Sequence, residues 1–146
     1  MNYFKAAEQV LLSVRVLEQS IENLERREKR LIDSGAPRGV RKADIKKSFT
    51  DTHFVNETLN EALELSECSK NLHKTRYKVK EIKAIIEQLQ PEYKELVRLW
   101  YLEHHSKERI MEIMHIDSLS TIYNLRNKAV AEFALLYYGS ESLASI

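Results

Sequence analysis

Glycine and proline are scarce. The 146-residue chain has three of one and two of the other, against the roughly 7% and 5% of ordinary proteins. Sandwiches, barrels and doubly wound sheets need turn residues at every few strands, so this shortage excludes them and leaves a mostly helical chain. The single cysteine, Cys68, excludes an internal disulfide and fits a reducing compartment. No apolar run approaches the ~20 residues of a membrane-spanning helix, so no membrane partner is expected. The first residues, MNYFKAAEQV, lack the basic and apolar pattern of a secretory signal, and the expected location is cytoplasmic. Charge is nearly balanced, at a formal +1, which excludes a general polyelectrolyte binder and requires any nucleic-acid contact to be built locally. A Gly-rich phosphate loop, a GxSxG elbow and an HExxH helix are all missing. His104, His105 and His115 have no cysteine or carboxylate spacing that completes a metal site. The chain is therefore expected to be no enzyme and to use no cofactor or metal.

What is present is helical periodicity. Tyr3, Ala7, Val10, Val14, Leu17, Ile21, Leu24, Glu28 and Leu31 follow one another in steps of three and four, and only Glu28 is charged. Such a narrow stripe is the seam of a coiled coil or helix hairpin rather than the broad face of a globular helix. A second seam runs through Thr58, Leu65, Cys68, Leu72, Thr75, Val79, Ile82, Ile86 and Leu89. Between them, Asp33-Ser34-Gly35-Ala36-Pro37-Arg38-Gly39 stops the first helix. A basic loop at about 34–48 follows, with Arg38, Arg41, Lys42, Lys46 and Lys47 against Asp44. Two seamed helices joined this way form an antiparallel hairpin whose remaining apolar surface needs a partner. That partner is either a second copy, giving a homo-oligomer, or the C-terminal unit. Cys68 falls on the seam and is expected to be a small buried residue.

Pro91 suits a first helical turn, and Tyr93, Leu96, Val97, Leu99, Trp100 and Tyr101 supply a core-facing cluster. Ser106 is placed to cap a short helix that buries Ile110, Ile113 and Met114. After a break at His115 to Asp117, a third helix begins at Asp117 or Ser118. Three helices with a very short turn between the last two form a helix-turn-helix. The expected fold class is all-α, a long antiparallel helical hairpin (residues 1–90) followed by a three-helix helix-turn-helix unit (91–138). Gly139 ends the last helix, with 139–146 as a frayed tail.

The stretch from Leu89 to about Leu136 resembles region 4 of the bacterial sigma-70 family in Pro91-Glu92-Tyr93, in Arg98-Leu99-Trp100-Tyr101-Leu102-Glu103 and in Ser118-Leu119-Ser120-Thr121-Ile122-Tyr123. With its N-terminal seamed helices and its length, the chain resembles the small phage-encoded late-gene transcriptional regulators of the RinA and ArpU type. That resemblance implies a promoter-binding regulator. Many members carry Gly in the turn before the recognition helix, where this chain has His115.

The third helix is also legible from its wheel. With Ile122 turned inward, Leu125, Ala129, Phe133 and Leu136 share its face. The opposite face presents Ser120, Thr121, Asn124, Asn127 and Lys128 as candidate base readers, because amides and hydroxyls match base edges in a major groove. Ser118, Tyr123 and Arg126 flank them as candidate phosphate contacts, with Arg38, Arg41 and Lys42 of the basic loop, and Tyr123 and Arg126 are equally placed for packing within the chain. The end of the helix, Phe133 to Tyr138, is apolar all round and must be covered by the hairpin or by another protomer. The expected function is a sequence-specific regulator that binds double-stranded DNA as an oligomer. Residues 91–146 hold six Lys/Arg and eight Asp/Glu, and this acidity leaves a second reading open: a protein-interaction module contacting RNA polymerase. A small-terminase-like DNA-packaging protein is the third.

Overall fold

The computed structural model describes residues 1–35 and 53–145. All of its regular elements there are helical: α1 (Tyr3–Asp33), α2 (His53–Glu87), α3 (Pro91–Val97), which continues as a π-helical turn (Arg98–Leu102), α4 (Lys107–Met114), α5 (Leu119–Tyr138) and a closing 3-10 turn (Gly139–Ser145). The fold is all-α, with a long antiparallel helical hairpin followed by a three-helix helix-turn-helix unit. The basic stretch with Arg38, Arg41 and Lys42 lies outside the described residues.

The chain forms two compact units, Glu18–Tyr77 and Met1–Leu17 with Lys78–Ile146. In the first, Leu24, Leu31, Leu65, Cys68 and Leu72 form a buried core with Ile21 and Ile32 packed against it. Burying each leucine removes about 1.5–3 kcal/mol of apolar hydration cost. The pairing is antiparallel, since Glu25 meets Arg76 at 2.6 Å while Glu28, three residues on, accepts from Ser69 Oγ at 2.7 Å. That bond accommodates the only charged residue of the first seam. Cys68 is buried with its Sγ 3.5 Å from the Leu24 carbonyl. Burial pushes its thiol pKa up, so it is a packing residue without thiolate character.

The second unit departs from the boundary expected after residue 90. The first turns of α1 belong to it, with Ala7, Leu11 and Val14 fully buried. Leu11, which is off the seam, is the extra core residue. Glu8 accepts from the Tyr101 hydroxyl at 2.7 Å. The apolar end of α5 is partly covered from within this unit, as Tyr138 meets Tyr3 edge-on at 5.2 Å and Lys78 lies 5.0 Å over the Tyr137 ring. The expectation of a free tail is corrected: Gly139–Ser145 is a 3-10 turn with Ser142 buried. The Tyr3 hydroxyl donates to Glu141 Oε2 at 3.1 Å and Ser142 Oγ to the Gly139 carbonyl at 2.8 Å, which together fix the turn.

α5 packs on α3 and α4. It runs antiparallel to α3, because Glu132 accepts from the Gln90 amide while Tyr123, nine residues earlier, meets Trp100. Ile122, Leu125, Ala129 and Phe133 are buried as the wheel requires, but Leu136 is 40% exposed and Val130 and Ala134 are buried instead. The buried stripe rotates along the helix because its second half packs on different neighbours, the start of α1 among them. Similarly Ile110 is buried while Ile113 and Met114 are half-buried.

Candidate nucleic-acid interface

Backbone chemistry fixes where α5 begins. Ser106 caps α4, its Oγ accepting from the Arg109 amide at 3.2 Å, and α4 ends after two turns at His115. His115 has φ 56° and ψ 47°, a left-handed conformation that glycine adopts most easily. This sharp reversal is made by a non-glycine residue, at a steric cost. Extended backbone at Ser118 then starts α5, with the Ser118 hydroxyl accepting from the Thr121 amide at 3.5 Å and bonded to Ser120 Oγ at 2.8 Å.

With that start, Ser120, Thr121, Asn124, Asn127 and Lys128 are all exposed, and the buried Ile122, Leu125 and Ala129 hold the helix from behind. The side chains assigned to base reading thus share one solvent face of a helix anchored on two others. A shallow cleft of about 340 Å³ opens beside them, lined by Thr121, Asn124, Leu125 and Lys128 of α5, Glu92 and Tyr93 of α3, and Ile116 of the turn. Glu92 escaped the sequence reading, because nothing in its spacing places the start of α3 beside Lys128. Its carboxylate borders the same cleft as Lys128, the single cation of the reading face.

The flanking residues are engaged within the fold, the packing alternative for Arg126 and Tyr123. Arg126 has partners within its own unit. Its guanidinium lies 5.4 Å from the Trp100 ring and 5.3 Å from the Tyr123 ring. Its Nη1 is 3.9 Å from Glu8 Oε2, and its Nε and Nη2 donate to Asn127 Oδ1 at 3.2 and 3.0 Å. Tyr123 is half-buried between this guanidinium and Lys107, whose Nζ sits 4.9 Å over the ring. Ser118 is occupied as the helix cap. A charged side chain is desolvated only where partners compensate it, and Glu8 with two aromatic faces does this for Arg126. Glu8 is the second residue that sequence reasoning missed: it lies off the α1 seam, and its partners are more than ninety residues away.

The π-helical turn positions this cluster. The Glu103 amide bonds to the Arg98 carbonyl at 2.9 Å, five residues back, and the widened turn leaves Tyr101 buried while Trp100 stays half-buried on the flank. Burial, reinforced by the bond to Glu8, raises the Tyr101 hydroxyl pKa far above the ordinary tyrosine value.

Among the described residues no helix is long and apolar enough to cross a membrane. Comparison of the chain with family models, with curated proteins and with solved structures gives no match.

Proposed function

We propose that this chain is a sequence-specific DNA-binding transcription regulator, phage- or prophage-encoded like the RinA and ArpU regulators it resembles. The observation that carries the reading is the face of α5. Two amides, two hydroxyls and one ammonium stand exposed together on a helix that follows a tight left-handed turn. Asn pairs with base edges, Ser and Thr serve edges or phosphates, and the helix N-terminus favours phosphate. One cation per reading face makes a weak field, so the regulator acts as a homo-oligomer that places two or more α5 helices on spaced half-sites. Exposed Leu12 and Val16, one turn apart on α1, supply apolar surface for that pairing.

The test is selection of bound fragments from sheared source-genome DNA at about 150 mM salt, near physiological ionic strength, followed by sequencing. The expected result is enrichment of a few promoter-like sites, with discrimination lost in Asn124→Ala. Equal retention of all fragments would defeat the reading. Glu92 and the partly apolar cleft next to it favour a second reading, a contact with RNA polymerase, and direct binding of purified polymerase by a protein that enriches no DNA would establish it.

A further inference from the structure

Asn127 is exposed on the reading face, yet half of its hydrogen-bonding capacity is already used. An Asn side chain offers a carbonyl oxygen with two lone pairs and an NH₂ with two donors. Arg126 fills both lone pairs, donating from Nε at 3.2 Å and from Nη2 at 3.0 Å. Guanidinium has five donors and no acceptor, so the amide cannot turn its nitrogen toward Arg126. The orientation of Asn127 therefore follows from the chemistry of its neighbour.

Arg126 is itself held. Its guanidinium lies against Trp100 and Tyr123, and its Nη1 faces Glu8 Oε2 at 3.9 Å. Glu8 is fixed by the hydroxyl of the buried Tyr101 at 2.7 Å. Order thus passes from the core of the unit through Tyr101, Glu8 and Arg126 to a side chain on the reading face. Such preorganisation places a contact without loss of rotamer freedom at the moment of binding.

We infer that Arg126 is a positioning residue that makes Asn127 a donor-only reader, selective in the major groove for guanine, whose adjacent O6 and N7 both accept, over adenine, whose one acceptor, N7, stands beside the N6 donor. The usual bidentate Asn contact to adenine needs the carbonyl to accept from N6 while the NH₂ donates to N7. Here that carbonyl is occupied. This inference rests on the DNA-reading assignment of α5 and specifies what one of its residues reads.

Two measurements test it. In the free protein, nitrogen-detected NMR should show the Arg126 Nε–H protected from solvent exchange and the protection lost in Asn127→Ala; equal exchange in both would overturn the bond without reference to DNA. On the enriched site, every base pair is then substituted in turn. The wild type should prefer guanine over adenine at one position by about tenfold, within the range of one good base contact. Asn127→Ala should flatten that position alone. Arg126→Leu and Arg126→Lys, which keep bulk or charge but lose the fork, should move its preference toward adenine while the rest of the profile stays. A profile unchanged by the Arg126 variants, or one in which every position weakens together, would overturn the positioning role while leaving the regulator reading in place. If the wild type enriches no site, the regulator reading falls and this inference with it.

Discussion

The buried link between Tyr101 and Glu8 can be tested with a single atom. Tyr101→Phe keeps the ring of a residue that is 1% exposed and removes the hydroxyl that donates to Glu8 Oε2 at 2.7 Å. Hydrogen bonds to charged groups contribute about 1.5–3 kcal/mol. Because the Glu8 side chain is 26% exposed, water recovers part of that in the variant, and the expected cost at neutral pH is about 1–2 kcal/mol. For a chain of this size that lowers Tm by roughly 3–6 °C.

The same bond has an alkaline signature of definite sign. Burial and Glu8 raise the folded-state pKa of Tyr101, whereas in the unfolded chain it ionises near the ordinary value of about 10. Above that pH the unfolded state binds one proton fewer than the folded one. The stabilisation is therefore complete below about pH 10 and is lost as pH rises, by about 1.4 kcal/mol per unit. The variant has no such group, so its deficit should shrink to near zero by about pH 11. Tyr3 and Tyr138 are also raised, Tyr3 by its bond to Glu141 and Tyr138 by burial, but they act equally in both proteins and cancel in the difference. Trp100 is the only tryptophan and lies in this unit, so its fluorescence during guanidinium titration at several pH values follows the relevant transition. Equal midpoints at neutral pH, or a deficit that stays constant from pH 8 to 11, would refute the reasoning.

Three further outcomes follow from the geometry. His115→Gly should raise the stability of the same unit by about 0.5–1 kcal/mol, since it relieves a left-handed residue at φ 56°; His115→Val should lower it, and the same fluorescence titration reads both. Leu72→Ala, at a fully buried position of the Glu18–Tyr77 core, should cost about 2–5 kcal/mol, seen as loss of helical ellipticity at lower denaturant with the Trp100 transition affected less. Glu92→Gln removes a negative charge from the cleft that Lys128 also lines and should strengthen binding to random duplex by about threefold at low salt, an advantage that disappears at high salt, as measured by fluorescence anisotropy.

The hairpin was legible because burying a narrow face imposes a period, and a period survives in sequence. Leu24, Leu31, Leu65, Cys68 and Leu72 fall where the three-and-four spacing puts them. The Ser106 cap was legible too, and the start of α5 to within one residue, Asp117 or Ser118, since both serines satisfy helix amides through local bonds that depend on residues three positions away. The exposed face of α5 came from the same wheel. What spacing could not supply was long-range pairing. Nothing in a linear pattern joins Glu8 to Tyr101 and Arg126, and so the partners of Arg126 stayed unidentified until its neighbours were in place. The π-helical turn at Arg98–Leu102 was equally silent, because one inserted residue changes which side chains face inward without altering composition.

The proposed reader has a consequence for how affinity is distributed. Its face carries one ammonium, Lys128; its nearest guanidinium, Arg126, is committed to Glu8, two aromatic rings and Asn127; and Glu92 borders the same cleft. Phosphate neutralisation supplies most non-specific affinity, so this face discriminates more than it attracts. Attraction must then come from cations elsewhere in the chain, and residues 1–90 hold the surplus, with five Lys/Arg between Arg38 and Lys47 alone. A division of labour of this kind separates two observables. Changes at Thr121, Asn124 or Asn127 alter which sequence is bound at a nearly constant salt slope, whereas neutralising Arg38, Arg41 and Lys42 lowers that slope by up to about three and leaves the preferred sequence unchanged.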